Sequence, residues 1–452
     1  MEIQGLREDA GVADWTPAYE RRAVALLTIG FGLVGLDRWI VAPLGPSMIA
    51  DLGLTPQNLN NLIAALGVSW GIAAVLLGGL SDRVGRKKVL IPSLLAFSLM
   101  SSLSGMVSGL AALFVARGLM GVAEGAFCPT SFASTAEASH PKRRGFNQGL
   151  QQSAFALFGL GFGPILATQM LAVFSWRVIF LLVAIPGLIL TALLASVIRE
   201  PRPIARPSKA EDANPDKPRL ADLFAHRNVA LAMAGLFCAM CGIFVLSANI
   251  PLYLTGYLKL TPAQMGIVTS AIGFGGFAGQ WGLPALSDHI GRRVTAIIGF
   301  VAGTAFLFWF TRIGADTPVL FTLLFVASAF SFGLLSLLTG PVATEAAPAG
   351  RISSTAGLII GAGEIFGGGL ALVVSGIVIG HFGIQAMLYV ALGGLSVGGV
   401  LMAFLKETAP RLTDGRPHPF HRDDSGLSEA EKAMRATNIA RALENSISRH
   451  YL

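Results

Sequence analysis

Ser81-Asp82-Arg83-Val84-Gly85-Arg86-Lys87 is matched 206 positions later by Ser287-Asp288-His289-Ile290-Gly291-Arg292-Arg293. The same offset relates Leu52-Gly53-Leu54-Thr55-Pro56 to Leu258-Lys259-Leu260-Thr261-Pro262. Two matches in one register point to a duplicated structure. The copies also differ: Asp37, Arg38 and Glu124 face Ile243, Phe244 and Phe330 at the corresponding positions. The frame is repeated, and these three charges are not.

Outward from the repeat, the chain is strongly apolar. Hydrophobic residues make up 53% and charged residues 13% of its 452 positions, with a mean hydropathy of +0.65. Apolar stretches of about 20 residues, enough to cross a bilayer as helices, recur along it. Twelve are read, at 23–50, 59–80, 88–108, 110–136, 145–173, 176–198, 227–256, 263–286, 293–312, 317–345, 351–380 and 383–405. Helices satisfy their own backbone groups in lipid. The expectation is therefore an all-α membrane protein of two pseudo-symmetric six-helix bundles. Duplicated bundles of this kind hold a substrate between their halves.

The net charge of +7 could suggest nucleic-acid binding, but its placement argues for membrane orientation. With the N-terminus inside, 28 of the 33 Lys and Arg fall in the tails and loops of one face. This bias places both termini in the cytoplasm, and no nucleic-acid partner is expected. Residues 1–22 form a polar tail without a signal-peptide pattern, so the first span is expected to stay in the mature protein. Bundles at 23–198 and 227–405 flank a linker at 199–226, which holds five prolines among mixed charges and cannot bury a core. The tail at 406–452 contains Ser428-Glu429-Ala430-Glu431, a capping-box pattern that would start a short helix reaching about Ser446. Cys128, Cys238 and Cys241 lie inside apolar spans. Without nearby His or acidic partners, the Cys238-Ala-Met-Cys241 spacing is read as packing, not a metal or redox site.

Gly78-Gly-Leu-Ser-Asp82-Arg83-Val-Gly85-Arg86-Lys87-Lys88 connects the second and third spans. An acid followed by bases can pin two helix ends by ion pairing, with Gly85 supplying the tight turn. The twelve spans, the central linker and this loop resemble the major facilitator superfamily over about residues 20–405. The resemblance implies two bundles rocking about a central cavity. It makes Asp82, Arg83, Gly85, Arg86 and Lys87, and in the second copy Asp288, Arg292 and Arg293, a gate latch. Glu137 and Glu345 are its candidate acidic partners.

A second resemblance is carried by Asp37-Arg38 in the first span, Arg117-Gly-Leu-Met-Gly121-Val-Ala-Glu124-Gly-Ala-Phe-Cys-Pro129 in the fourth, Lys142-Arg143-Arg144-Gly145, and Trp176-Arg177. These are similar to the anion–cation symporter branch, proton-coupled carriers of sugar acids and other organic anions. By that resemblance Arg38 grips a substrate carboxylate, and Asp37 and Glu124 bind protons. Depth agrees independently. Asp37 and Glu124 each lie 14 residues into their spans, near mid-membrane at about 1.5 Å per residue. Charges there cost at least about 2.5–3.5 kcal/mol unless paired or wetted, and usually mark a transport path. Arg38 keeps its proton while the carboxylates can lose theirs. In the empty carrier Arg38 is expected to pair with Asp37 or Glu124 and to be released when that acid is protonated. A structural ion pair between the first and fourth spans is the other reading.

Arg117, seven residues before Glu124, is read as a modulator of that acid or an interface anchor. Glu364, 13 residues into the eleventh span, is a candidate second proton site or a packing partner. Gln152, Asn249 and Tyr253 are candidates for the substrate wall, with Gln280 and Trp281 as weaker ones. Gly159-Leu-Gly161-Phe-Gly163-Pro164 partly resembles a motif of proton-coupled drug antiporters, and Spinster-type lipid carriers share the Asp-Arg and Glu. The expected function is proton-coupled uptake of a small organic anion by alternating access. The alternative is a proton-coupled drug or amphiphile/lipid exporter. An enzyme is not expected, nor is any cofactor beyond the proton. A monomer in a bacterial inner membrane is expected.

Overall fold

The computed structural model describes residues 16–77, 80–140, 143–199, 226–347 and 352–409, without the side chains of residues 82, 83 and 352–354. The first 15 residues, the linker at 200–225, and the tail helix expected near 428–446 lie outside the described residues, as do the side chains of Asp82 and Arg83. Every regular element described is helical. In chain order the long helices are α1 (Pro17–Leu52), α2 (Pro56–Leu77), α3 (Arg86–Met106), α4 (Leu110–Ala138), α5 (Arg144–Leu171), α6 (Trp176–Val197), α7 (Arg227–Tyr257), α8 (Pro262–Ile290), α9 (Arg292–Phe310), α10 (Thr317–Ala346), α11 (Thr355–Phe382) and α12 (Ala386–Met402). Ten are long and apolar enough to cross a membrane; α8 and α12 complete the twelve.

The packing repeats with the duplication. Helix α2 lies on α4 as α8 lies on α10, and α3 lies on α6 as α9 lies on α12. The halves meet through α2 with α11 and α5 with α8. The turns repeat too. Gly85 and Gly291 have φ of 107° and 98°, a region L side chains rarely adopt. Gly53 and Lys259, at matching places in the Leu-x-Leu-Thr-Pro corner, are both left-handed at 63° and 56°.

Each turn sets up the same brace. Arg86 Nη2 lies 2.7 Å from Glu137 and its Nε 3.2 Å from both carboxylate oxygens. Arg292 meets Glu345 in the same fork, at 2.9 and 3.2 Å. Ser81 and Ser287 each accept from their arginine's Nη1, and Asp288 accepts from Arg292 at 2.6 Å. These bonds lace α3 to α4 and α9 to α10, inside each half. Glu137 and Glu345 are thus the acidic partners of Arg86 and Arg292, and each pairing lies within one half because the turn and the acid it meets belong to one bundle. Arg293 instead reaches the end of α12, donating to the Ala403 carbonyl at 2.6 Å. Lys87, beside Arg86, is half-buried.

Beyond α12, Glu407 caps the start of α9, accepting from the backbone N–H of Arg292 at 2.8 Å and Arg293 at 3.1 Å. Burial pushes its carboxyl up, but the N–H groups of Ala409, Arg292, Arg293 and Thr408 together hold it below its ordinary value. A depressed native pKa contributes stability above the unfolded value and loses it as pH falls through the native one. Glu407→Gln is therefore expected to lower the melting temperature in detergent at neutral pH, with the gap closing as pH falls below 4.5.

The two braces differ in burial. Side-chain exposures are 7% and 12% for Arg292 and Glu345, against 12% and 25% for Arg86 and Glu137. Losing a charged hydrogen bond costs about 1.5–3 kcal/mol. Glu345→Gln is expected at the upper end and Glu137→Gln at the lower, read as the order of their melting temperatures.

Candidate functional site

The first segment of α1 ends at Trp39, and Ile40 interrupts the helix before Val41–Leu52. Pro43 and Pro46 lack the N–H groups that would close the turns onto Trp39 and Ala42. Arg38 thus sits in the last turn before a break, with a side chain 1% exposed. Opposite, the backbone of α11 loosens into wide turns over Gly363–Leu370. Such widening re-aims side chains and is common at functional sites. Here it presents Glu364.

Arg38 Nη2 donates to Glu364 Oε2 at 2.8 Å. This corrects the expected partner. Arg38 meets neither Asp37 nor Glu124 but an acid of the opposite half, 326 residues away in sequence. Two glycines make the room. A Cβ on Gly368 would lie 2.8 Å from Glu364 Oε2 and 3.1 Å from Arg38 Nη2, and one on Gly67 would lie 2.9 Å from the Gly368 carbonyl oxygen. Four rings surround the guanidinium, with centroids 4.9 Å (Phe244), 5.6 Å (Trp39), 5.7 Å (Trp70) and 6.0 Å (Phe155) from its Cζ. Ring faces attract a cation where water is excluded.

Asp37 points the other way, accepting from Ser101 Oγ at 2.6 Å. Arg117 donates to the Asp37 backbone carbonyl at 2.7 Å and lies over the Phe180 ring at 5.1 Å. It therefore fastens the backbone of α1 beside Arg38, a role its position before Glu124 did not suggest. Glu124 is 0% exposed, and neither carboxylate oxygen has a hydrogen-bond partner. It lies within electrostatic range of Asp37, Arg38, Arg117 and Glu364. As an ion such a group is costly to keep.

A cavity of about 100 Å³ opens on Arg38 and Glu364 between the two halves. Gln152 and Gln280 line it. Asn249 and Tyr253 do not, which corrects that part of the expected wall. Asn249 exchanges amide hydrogen bonds with Asn60 at 2.7 and 3.0 Å, closing α7 on α2 where Gln57 also donates to the Val373 carbonyl at 3.3 Å. Tyr253 is buried, stacked on Tyr257 and tilted against Phe310. Toward the other end of the helices Phe146 and Trp281 meet, with centroids 5.2 Å apart. Trp176 and Arg177 hold Asp51 at the end of α1, the indole at 3.0 Å. The aromatic lining and Ser101 escaped the sequence reading; among 28 Phe and 6 Trp, no local signal marks those that face the centre.

Sequence comparison shows the class to which this fold and its central charges belong. The profile of the Major Facilitator Superfamily matches residues 27–363 and again 232–443. The chain belongs to that superfamily and is an integral, multi-pass membrane transporter, not an enzyme. It is 26% identical over 368 residues to the "Probable 4-methylmuconolactone transporter" of Cupriavidus pinatubonensis, covering 78% of this chain and 83% of that one. It is 26% identical over 262 residues to the hexuronate transporter of Bacillus subtilis, covering 57% and 62%. Its fold matches the crystal structure of a bacterial homolog of the human lysosomal transporter Spinster, inward-facing and unoccupied. The TM-score is 0.67 at 14% identity, over 86% of this chain and 95% of that one.

Removing one partner of a buried ion pair leaves an uncompensated charge and costs about 3–5 kcal/mol. Arg38→Gln and Glu364→Gln should each destabilise the detergent-solubilised protein strongly. The double variant should lose much less than the sum, as read in a double-mutant cycle of unfolding.

Proposed function

We propose that this transporter is a symporter that brings a small organic anion and a proton into the cell together. The observation that carries the reading is the buried Arg38–Glu364 pair, which joins the two halves at the cavity. A substrate carboxylate reaches Arg38 only by displacing Glu364. Displaced as an anion, Glu364 would be a buried charge without a partner, which is costly; a proton removes that cost. Protonation of Glu364 therefore frees Arg38 for the bidentate grip that a guanidinium makes on a carboxylate. One proton enters with each carboxylate.

The charge count supports this. Asp37, Arg38, Arg117, Glu124 and Glu364 interact as one cluster, with two cations against three acids. With Glu124 neutral the five sum to zero, and an added carboxylate is balanced by one further proton on Glu364. Glu124, buried without a partner, acts as the relay that delivers that proton. Asp37, held by Ser101 and close to Arg117, stays with the N-terminal half. Relatives named for a hexuronate and for 4-methylmuconolactone make an organic-acid cargo the natural class. The Lys and Arg bias further supports both termini lying in the cytoplasm.

Proteoliposomes with and without an inside-alkaline gradient test the reading. Gradient-driven accumulation of a carboxylate is expected for the natural chain. Glu124→Gln should keep exchange and lose accumulation, Glu364→Gln should bind the anion regardless of pH, and Arg38→Lys, which lacks the planar fork, should lose most transport. Proton-driven export of lipophilic compounds with no carboxylate uptake would replace symport with export.

A further inference from the structure

We infer that the cargo is a small, flat, sparsely hydroxylated monocarboxylate, an aromatic acid in its simplest form, and not a sugar acid. This rests on the organic-anion reading above and narrows it. Six aromatic side chains line the cavity: Phe31, Trp70, Phe132 and Phe155 from the N-terminal half, and Phe244 and Phe332 from the C-terminal half. A bound molecule is therefore flanked by rings from both bundles, the geometry that suits another ring in offset or edge contact. Arg38 is the one cation among the lining residues described. It can hold one carboxylate, and a second would be buried with no cation to pair with it.

Neutral hydrogen-bonding groups are few. The Thr339 hydroxyl already donates to the Leu335 carbonyl at 2.7 Å. Gln152 and Gln280 remain, and the Gln280 side-chain oxygen is buried without a partner. A sugar acid carries a hydroxyl on nearly every carbon, and two amides cannot satisfy them. Each buried hydroxyl left unpaired lowers affinity by roughly tenfold or more. A ring carboxylate bearing one or two hydroxyls leaves nothing unpaired and can use the free Gln280 oxygen. The volume of about 100 Å³ suits one ring and disfavours a long amphiphile.

The test is binding to the full chain in detergent at mildly acidic pH, read by tryptophan fluorescence, since Trp70 lines the cavity. The probes are 3-hydroxybenzoate, benzoate, glucuronate, the dicarboxylate terephthalate and the neutral 3-hydroxybenzamide. The expected order is 3-hydroxybenzoate tightest, at least about tenfold ahead of glucuronate and terephthalate, with the amide weakest. Phe244→Leu and Phe155→Leu should each weaken 3-hydroxybenzoate severalfold while changing glucuronate binding much less. If Phe244→Leu fails to fold, Gln280→Leu serves instead: it removes the preference for 3-hydroxybenzoate over benzoate and leaves benzoate itself bound. Glucuronate binding more tightly than 3-hydroxybenzoate, with both lost in Arg38→Lys, would overturn the aromatic assignment and leave the organic-anion reading standing. The amide binding as tightly as the acid would overturn both.

Discussion

A guanidinium and a carboxylate, one from each half of the molecule, meet at 2.8 Å in the middle of the bundle, and the rest of the structure is arranged around that contact. Neither group is tolerable alone at that depth, since a buried ion without a partner costs several kcal/mol. The chain therefore has to bring the two helices together closely enough for the pair to form. It does so with glycine at both faces of the α2–α11 crossing, where a methyl group would strike either the pair or the facing backbone. It also widens α11 at Glu364, which re-aims that side chain toward Arg38 in the last turn before Ile40. The rings around Arg38 exclude water and supply the remaining electrostatic support.

The duplicated frame and the unduplicated centre do different work. Turns at Gly85 and Gly291, corners at Gly53 and Lys259, and forked braces at Glu137 and Glu345 recur with one geometry in both halves. They brace each bundle internally. Among the described residues, the contacts between the bundles are of another kind: amide bonds such as Asn60–Asn249 and Gln57 to the Val373 carbonyl, ring contacts such as Phe146–Trp281, and the central ion pair. Amide pairs and ring contacts are separable without stranding a charge. The ion pair is not: parting the halves would leave a buried charge on each side.

How legible this was depends on the distance over which each feature is specified. The helices, the corners and the Arg86 and Arg292 turns were readable because apolar run length, turn glycine and charge spacing are local properties. Asp37, Arg38, Glu124 and Glu364 could be singled out because charge at membrane depth is rare and costly. The partner of Arg38 was not legible: Asp37 is its neighbour in sequence, yet Ser101 and the backbone geometry of α1 turn that carboxylate aside. Asn249 and Tyr253, polar at helical depth, looked like substrate contacts, yet here Asn249 pairs with Asn60 and Tyr253 stacks on Tyr257, because which face of α7 meets α2 is settled only when the halves dock.

By itself the sequence determined that the chain forms twelve apolar helices in two related halves, and that its unmatched charges lie near the middle of their spans. Tertiary structure alone decided that Arg38 faces Glu364 across the halves, that Glu124 stands without a hydrogen bond, and that aromatic faces line the space between. The physical reason is that helix formation and membrane insertion depend on each segment's own composition. Which side chains share a cavity depends on the rotation and approach of helices hundreds of residues apart, set here by glycine contacts and proline breaks whose effect no single segment can show.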